Sequence, residues 1–173
     1  MNVKFVGTSL LLTLAGVAAA ADQPTVRAVL QPAGERKAAP EFALKDGSGK
    51  TVSLEKYRGK VVLLDFWATW CHGCKLEIPW FSEFERKYSA KGLSVVGVSL
   101  DDEGWKVVKP FIEQKKINYP VVLGDDKIAT LYGGFQSLPT TLVIDKSGRI
   151  VSARVGLVKK SDYENEIITL LNN

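Results

Sequence analysis

The sequence predicts a single α/β domain in which a mixed central sheet is flanked by helices on both faces. Two nearly continuous apolar runs, residues 60–67 and 93–99, are typical of strands that are buried on both sides. Amphipathic segments with helical spacing alternate with the strands, and the chain closes with a predicted hairpin and a final helix. With 173 residues, of which 46% are hydrophobic, the chain is long enough to bury such a core.

Local signals predict the individual elements. Residues 41–44 and 51–54 flank a turn-forming Asp-Gly-Ser-Gly cluster, which predicts a β-hairpin. Residues 71–90 carry large apolar side chains at helical spacing, with Pro79 inside the segment and Gly92 after it. The remaining predicted elements are a helix over 103–116, in which Pro110 marks either a bend or a later start, a strand over 120–123, a short helix over 127–132, paired strands over 140–145 and 150–155, and a helix over 161–171.

A capping-box signature marks the start of the last predicted helix. Ser161 stands at the expected N-cap, and Glu164 follows three residues later. In a capping box, these two side chains satisfy backbone N–H groups that have no partner within the helix. The pattern therefore predicts that this helix begins at Ser161.

Residues 1–21 have the features of a secretory signal peptide. A lysine near the start precedes a mostly apolar stretch over 5–17, and small alanines before Asp22 form a cleavage site. The apolar stretch is shorter than the roughly 20 residues needed to span a bilayer, which favours cleavage over a membrane anchor. Residues 22–39 lack periodicity and predict a linker or loose arm, whereas residues 40–173 form the predicted folded domain.

Both cysteines of the chain, Cys71 and Cys74, lie in one Cys-x-x-Cys motif directly after an apolar run. At the junction of a strand and a helix, such a pair can close a disulfide, and the helix N-terminus stabilises a thiolate. Those are the requirements for thiol–disulfide exchange. A structural zinc site would need two more ligands, and the one histidine, His72, lies between the cysteines. Covalent haem attachment would need a histidine after Cys74, where Lys75 stands.

Several separated motifs resemble the thioredoxin superfamily. The active-site segment of that family is similar to Asp65-Phe66-Trp67-Ala68-x-Trp70-Cys71-x-x-Cys74-Lys75. Pro79 stands where the family has a helix-kinking proline, and Leu138-Pro139-Thr140-Thr141 resembles its cis-proline loop. The hairpin before the active-site strand and the insertion over about 104–125 resemble the exported TlpA-like branch, whose best-known members reduce disulfides for cytochrome c maturation. The resemblance implies a thioredoxin-like fold with an N-terminal hairpin and a strand–helix insertion.

The resemblance also implies roles for the residues around the motif. Cys71 is the expected nucleophile, and Cys74 is the expected buried, resolving thiol. Asp65 matches the buried acid of thioredoxins, and Glu77 matches an acidic position of the TlpA-like reductases. Each carboxylate either accepts the proton of Cys74 or is an ordinary solvated or ion-paired group. His72 either stabilises the thiolate when protonated or is a solvated residue of the loop.

Three further residues are expected to contact the client protein. Pro139 is predicted to be cis, so that its backbone lies against the disulfide. The main chain of Leu138 is then free to pair with an extended peptide. Trp70 is expected to pack at the rim and to give the client an apolar lip.

The predicted function is that of a periplasmic protein disulfide oxidoreductase that reduces client proteins and is itself reduced by a membrane thiol donor. No bound cofactor is required, and a monomer is expected. The net charge of +4 is spread along the chain, which argues against nucleic acid as a partner. An oxidant or an isomerase-like enzyme stays open as an alternative, because Gly73 stands where thioredoxins commonly have proline.

Two other classes fit the sequence less well. Peroxiredoxins place proline and threonine at fixed positions upstream of the reactive cysteine, whereas this chain has Asp65 and Ala68 there. A redox-inert binding module is disfavoured by the intact Cys-x-x-Cys motif. A copper carrier of this fold would have a wider cysteine spacing and a distal histidine, which the sequence lacks.

Overall fold

A computed structural model of the chain describes residues 33–134 and 137–173. The predicted signal peptide and most of the predicted linker lie outside this part. The first two strands of the described chain, β1 (Ala43–Lys45) and β2 (Thr51–Ser53), form an antiparallel hairpin, as the turn cluster predicted. Over the described ranges, no helix combines the length and the apolar character needed to cross a membrane.

The central sheet of the described chain has five strands in the order β5-β4-β3-β6-β7. These strands are β3 (Val61–Trp67), β4 (Leu93–Ser99), β5 (Val121–Leu123), β6 (Thr140–Ile144) and β7 (Ile150–Val155). β3 pairs in parallel with β4 and antiparallel with β6, so the sheet is mixed as predicted. Because β3 occupies the centre, all of its residues are buried, which accounts for its continuous apolar sequence.

Helices cover both faces of the sheet, which confirms the predicted α/β architecture. The helices are α1 (His72–Tyr88), α2 (Trp105–Lys115), α3 (Asp126–Leu131) and α4 (Lys160–Asn172). Val61, Leu63 and Trp67 of β3 pack with α1, α2 and α4 on one face. The alternate residues of β3 pack with the hairpin and α3 on the other face. Since Asp65 belongs to the first set by strand alternation, its side chain faces the layer of α1 and α4.

The start of α4 differs from the predicted capping box. The N-cap is Lys159, which makes no side-chain cap hydrogen bond, and Ser161 lies inside the helix. Glu164 instead accepts hydrogen bonds from the side chains of Lys87 and Tyr88 on α1, both at 2.7 Å. The capping-box prediction is therefore wrong. The side chain of Glu164 binds to α1 and does not cap its own helix, because tertiary contacts outweigh the local preference.

The packed domain extends N-terminal to Pro40. Arg36 forms an ion pair with Asp145 at 3.1 Å. Ala38 forms a β-bridge with Arg149, and Ala39 is only 3% exposed. These contacts attach the residues before Pro40 to the turn between β6 and β7.

Candidate active site

Cys71 and Cys74 form a disulfide at the junction of β3 and α1. The Cα atoms are 5.3 Å apart, a normal separation for a disulfide. Cys71 is 5% exposed and Cys74 is fully buried at 0%. Cys71 is therefore the slightly more exposed of the two side chains, and Cys74 is the buried one, as the sequence predicted.

The Cys71 sulfur caps the N-terminus of α1. Its Sγ accepts a hydrogen bond from the backbone N–H of Cys74 at 3.1 Å, and α1 has no acidic side chain in its first turn. The free N–H groups and the positive end of the helix dipole favour negative charge at this position. A helix N-terminus is a position at which proteins stabilise a cysteine thiolate.

The loop before β6 packs against the disulfide motif. The Leu138–Pro139 peptide bond is cis, which confirms the prediction, and Pro139 is buried. A Cβ atom on Gly73 would lie 2.9 Å from Cδ of Pro139, closer than such carbons approach. A glycine at position 73 thus lets the first turn of α1 lie directly against this loop.

The expected client-contacting residues differ in exposure. The Trp70 side chain is 67% exposed, and His72 at the start of α1 is also exposed. Leu138 is half-buried and packs against the cores on both faces of the sheet. Trp70 is therefore placed to contact another molecule, whereas the side chain of Leu138 mainly holds its own loop.

Asp65 is a buried carboxyl group on β3. Its side chain is 1% exposed, and its Oδ1 accepts a hydrogen bond from the Thr141 hydroxyl at 3.3 Å. Burial raises the pKa of Asp65 well above its ordinary value, and the nearby Glu77 carboxyl raises it further. Asp65 is therefore not the solvated group that the alternative interpretation assumed.

Glu77 is a second buried carboxyl group, at 0% exposure. It follows Cys74 by three residues on α1, so both side chains lie on the same helix face. The hydroxyl of Tyr163 on α4 donates to Glu77 Oε1 at 3.1 Å. Burial raises the pKa of Glu77 to about 7, although the hydrogen bond from Tyr163 and the charge of Arg154 oppose the rise. The group is thus poised to exchange a proton near neutral pH.

The sequence did not single out Asp101, which fixes the backbone before Cys71. Its carboxylate accepts hydrogen bonds from the Thr69 amide at 2.9 Å, from the Thr69 hydroxyl at 2.5 Å and from the Ser99 hydroxyl at 2.8 Å. Since β3 and β4 are parallel neighbours, the segments after them meet at one edge of the sheet. An acidic residue two positions after a buried parallel strand is the signal that would have found it.

Tyr163 and Arg154 were also missed, because they lie far from the cysteines in the sequence. Both are buried, at 0% and 4% exposure; Tyr163 hydrogen-bonds to Glu77, and the charge of Arg154 lowers the pKa of Glu77. In the sequence, Tyr163 is one apolar position of an amphipathic helix, and Arg154 is an ordinary strand residue. Within the described ranges, no group of three or more histidine, cysteine, aspartate or glutamate side chains is placed to hold a metal ion.

The fold and the site define a thioredoxin-like protein that carries a disulfide for thiol exchange. Residues 36–153 match the model of the AhpC/TSA family, and the chain belongs to that family. Thiol-disulfide oxidoreductase ResA from a strain of Bacillus cereus is 36% identical over 130 residues, which cover 74% of this chain and 73% of that protein. ResA from Bacillus subtilis (strain 168) is 32% identical over 166 residues, covering 94% and 92%.

A solved structure is also similar to this chain. A protein from Chlorobium tepidum that is assigned as the thiol:disulfide interchange protein DsbE superposes with a TM-score of 0.73 at 36% identity. The match covers 79% of this chain and 96% of that one. The predicted thioredoxin-like fold and the predicted activity, protein disulfide oxidoreduction through the Cys71–Cys74 pair, are confirmed.

Proposed function

We propose that this protein is exported to the periplasm and there reduces disulfides in client proteins, with cytochrome c maturation as its setting. The signal-like residues 1–21 support export, and the resemblance to the TlpA-like branch supports the reducing direction. One structural observation carries the proposal. The Cys71–Cys74 disulfide lies at the N-terminus of α1, and both of its side chains are buried. The buried carboxyl groups of Asp65 and Glu77 lie on the same side of the sheet.

The reaction begins at Cys71 of the reduced protein. Its thiolate attacks one sulfur of a client disulfide, forms a mixed disulfide with the client and releases the other client sulfur as a thiolate. The helix N-terminus at Cys71 lowers the energy of the thiolate before the attack. Because Cys74 is buried, it does not compete for the client.

Cys74 completes the reaction. Its thiol passes a proton to a buried carboxylate, and the resulting thiolate attacks Cys71 Sγ. The Cys71–Cys74 disulfide forms, the second client sulfur leaves as a thiolate, and two electrons have passed to the client. Glu77 suits the proton transfer, because it lies on the same helix face as Cys74 and a pKa of about 7 leaves part of its population ionised at neutral pH. Burial also raises the pKa of Asp65 well above its ordinary value, so Asp65 is the second candidate acceptor.

The client binds beside the disulfide in this scheme. The exposed Trp70 side chain provides an apolar contact, and the backbone of Leu138 before Pro139 pairs with an extended client segment. His72, exposed at the first position of α1, lies next to Cys71 in the chain and adds a polar contact. A membrane thiol donor then reduces the Cys71–Cys74 disulfide, and the protein works as a monomer without a bound cofactor.

The reduction potential of the Cys71–Cys74 couple tests the direction of electron flow. We expect a value below about −200 mV when the purified protein is equilibrated with glutathione redox buffers, since strongly reducing couples of this fold lie near about −270 mV. The fraction of oxidised protein is measured by alkylation and mass spectrometry. The Cys74→Ser variant, which cannot close the disulfide, is the matched control.

An oxidising potential would contradict the proposed direction. Strongly oxidising couples of this fold lie near about −120 mV. A value in that range would make the protein a periplasmic oxidant, while its membership of the disulfide oxidoreductases would be unchanged.

A further inference from the structure

Arg154 is a buried charge behind the active site. Its side chain is 4% exposed, although it lies on the edge strand β7. Its Nη1 forms an ion pair with Glu166 of α4 at 2.5 Å. Its Cζ atom lies 4.7 Å from the centre of the Tyr163 ring, which is the geometry of a cation–π contact. A buried guanidinium is costly unless it is paired, and here Glu166 and the Tyr163 ring are its partners.

Tyr163 connects this charge to the active site. The ring contacts the Arg154 guanidinium and also the Phe81 ring, whose centre is 5.2 Å away at an interplanar angle of 86°. The Tyr163 hydroxyl donates to Glu77 Oε1 at 3.1 Å. A cation over the ring withdraws electron density and makes the hydroxyl a stronger donor. The contacts therefore run without a break from β7 through α4 to the glutamate on α1.

We propose that Arg154 is a positioning residue for disulfide exchange: its guanidinium fixes the tyrosine that hydrogen-bonds to Glu77 and thereby sets the pH at which Cys74 resolves the mixed disulfide. This inference rests on the proposed function, in which Glu77 accepts the proton of Cys74. Arg154 touches neither cysteine and acts only through Tyr163 and through its charge.

The surroundings of Glu77 fix the sign of the expected effect. The groups that face Glu77 are the carboxyl of Asp65 from β3, the hydroxyl of Tyr119 from the segment before β5, the hydroxyl of Tyr163 from α4, the backbone amide of Val158 after β7 and the guanidinium of Arg154 from β7. Burial disfavours the ionised form of Glu77, whereas the tyrosine hydrogen bond and the guanidinium favour it. Removing Arg154 should therefore make Glu77 hold its proton to higher pH.

The two thiol steps can be followed separately with Ellman's reagent. The reduced protein attacks the reagent through Cys71 and releases a first thionitrobenzoate; Cys74 then attacks the mixed disulfide and releases a second. The rates of both phases are measured by absorbance between pH 5 and 9 for each variant. The first phase reports attack by Cys71, and the second phase reports resolution by Cys74. In the Cys74→Ser variant, only the first phase remains.

The Arg154→Met/Glu166→Gln variant removes the ion pair as a unit and leaves no unpaired charge. We expect the pH midpoint of its second phase to rise by about one unit, the usual scale for losing a hydrogen bond and a charge that favour ionisation. Tyr163→Phe should produce a rise of similar size, and Arg154→Lys a smaller one. Glu166→Gln alone keeps the guanidinium and should not raise the midpoint. The first phase should be unchanged in all four variants.

A different pattern would overturn the role of Arg154. If the double variant and Tyr163→Phe resolve more slowly but with the wild-type pH midpoint, Arg154 only supports the packing. If circular dichroism shows that the double variant does not fold, the pH midpoints of Tyr163→Phe and Arg154→Lys test the role of Arg154 instead. Wild-type midpoints in both would again mean that Arg154 only supports the packing. Failure of the proposed function looks different: an oxidising potential of the wild-type protein would overturn the direction of electron flow, and an unchanged pH dependence of the second phase in Glu77→Gln would overturn the role of Glu77.

Discussion

Replacing Cys71 by serine is expected to reduce the insulin-disulfide reductase activity to the rate measured without protein. A serine hydroxyl does not ionise at neutral pH and cannot form a mixed disulfide. Cys74 cannot replace it, because its side chain is 0% exposed. The measurement is the turbidity of insulin that precipitates as dithiothreitol passes electrons through the protein.

The Cys74→Ser variant is the matched control for this loss. It also lacks turnover, but it keeps the attacking thiolate and should accumulate a covalent complex with the client. Mass spectrometry under non-reducing conditions distinguishes the two variants, since Cys71→Ser should form no such complex. Wild-type turnover by Cys71→Ser, or trapping of clients through Cys74, would show that the assignment of the two thiols is wrong.

Replacing Glu77 by glutamine is expected to stabilise the oxidised protein at alkaline pH. The pKa of Glu77 is raised from 4.5 to about 7 by burial. Below pH 4.5, the carboxyl group is protonated in both the folded and the unfolded state and carries no penalty. Between 4.5 and 7, the unfolded chain loses the proton while the folded protein keeps it. The free energy of unfolding therefore falls by about 3 kcal/mol over this range and stays lower above it.

Glutamine does not titrate, so the Glu77→Gln variant escapes this loss. At each pH, the free energy of unfolding of the variant is compared with that of wild type. This difference should be up to about 3 kcal/mol more favourable to the variant at pH 8 than at pH 4. Urea unfolding of both proteins at the two pH values measures the difference. Glu103→Gln, at an exposed turn before α2, serves as the control and should show no such change. An equal effect of Glu77→Gln at both pH values would mean that Glu77 does not titrate as a buried acid.

The fold was predictable because its strands and its main helix carry strong local patterns. β3 and β4 are continuous apolar runs, and α1 has an apolar face and a cysteine at its N-terminus. Where the local pattern was weaker, the prediction was wrong or left open. The capping box at Ser161 failed because Glu164 bonds to α1 instead, and the sequence left open whether Pro110 lies inside α2, which it does.

The candidate site was predictable only where its residues are close in the sequence or belong to a motif. Cys71, Cys74 and Pro139 were found in this way, and the buried state of Asp65 followed from its place in β3. Tyr163, Arg154 and Asp101 were not found, because their roles depend on which side chains the folded chain brings together. A tyrosine on an amphipathic helix gives no sign that its hydroxyl reaches a buried glutamate on another helix.

The central claim is that the sulfur at the N-terminus of α1 is ionised near neutral pH while its partner one turn later is not. The most direct test is the alkylation rate of each thiol in the reduced protein, followed by mass spectrometry between pH 4 and 9. We expect Cys71 to react with a midpoint below the value of about 8.5 for a free cysteine, and Cys74 to react far more slowly. Two equally slow thiols with midpoints near that value would contradict the account.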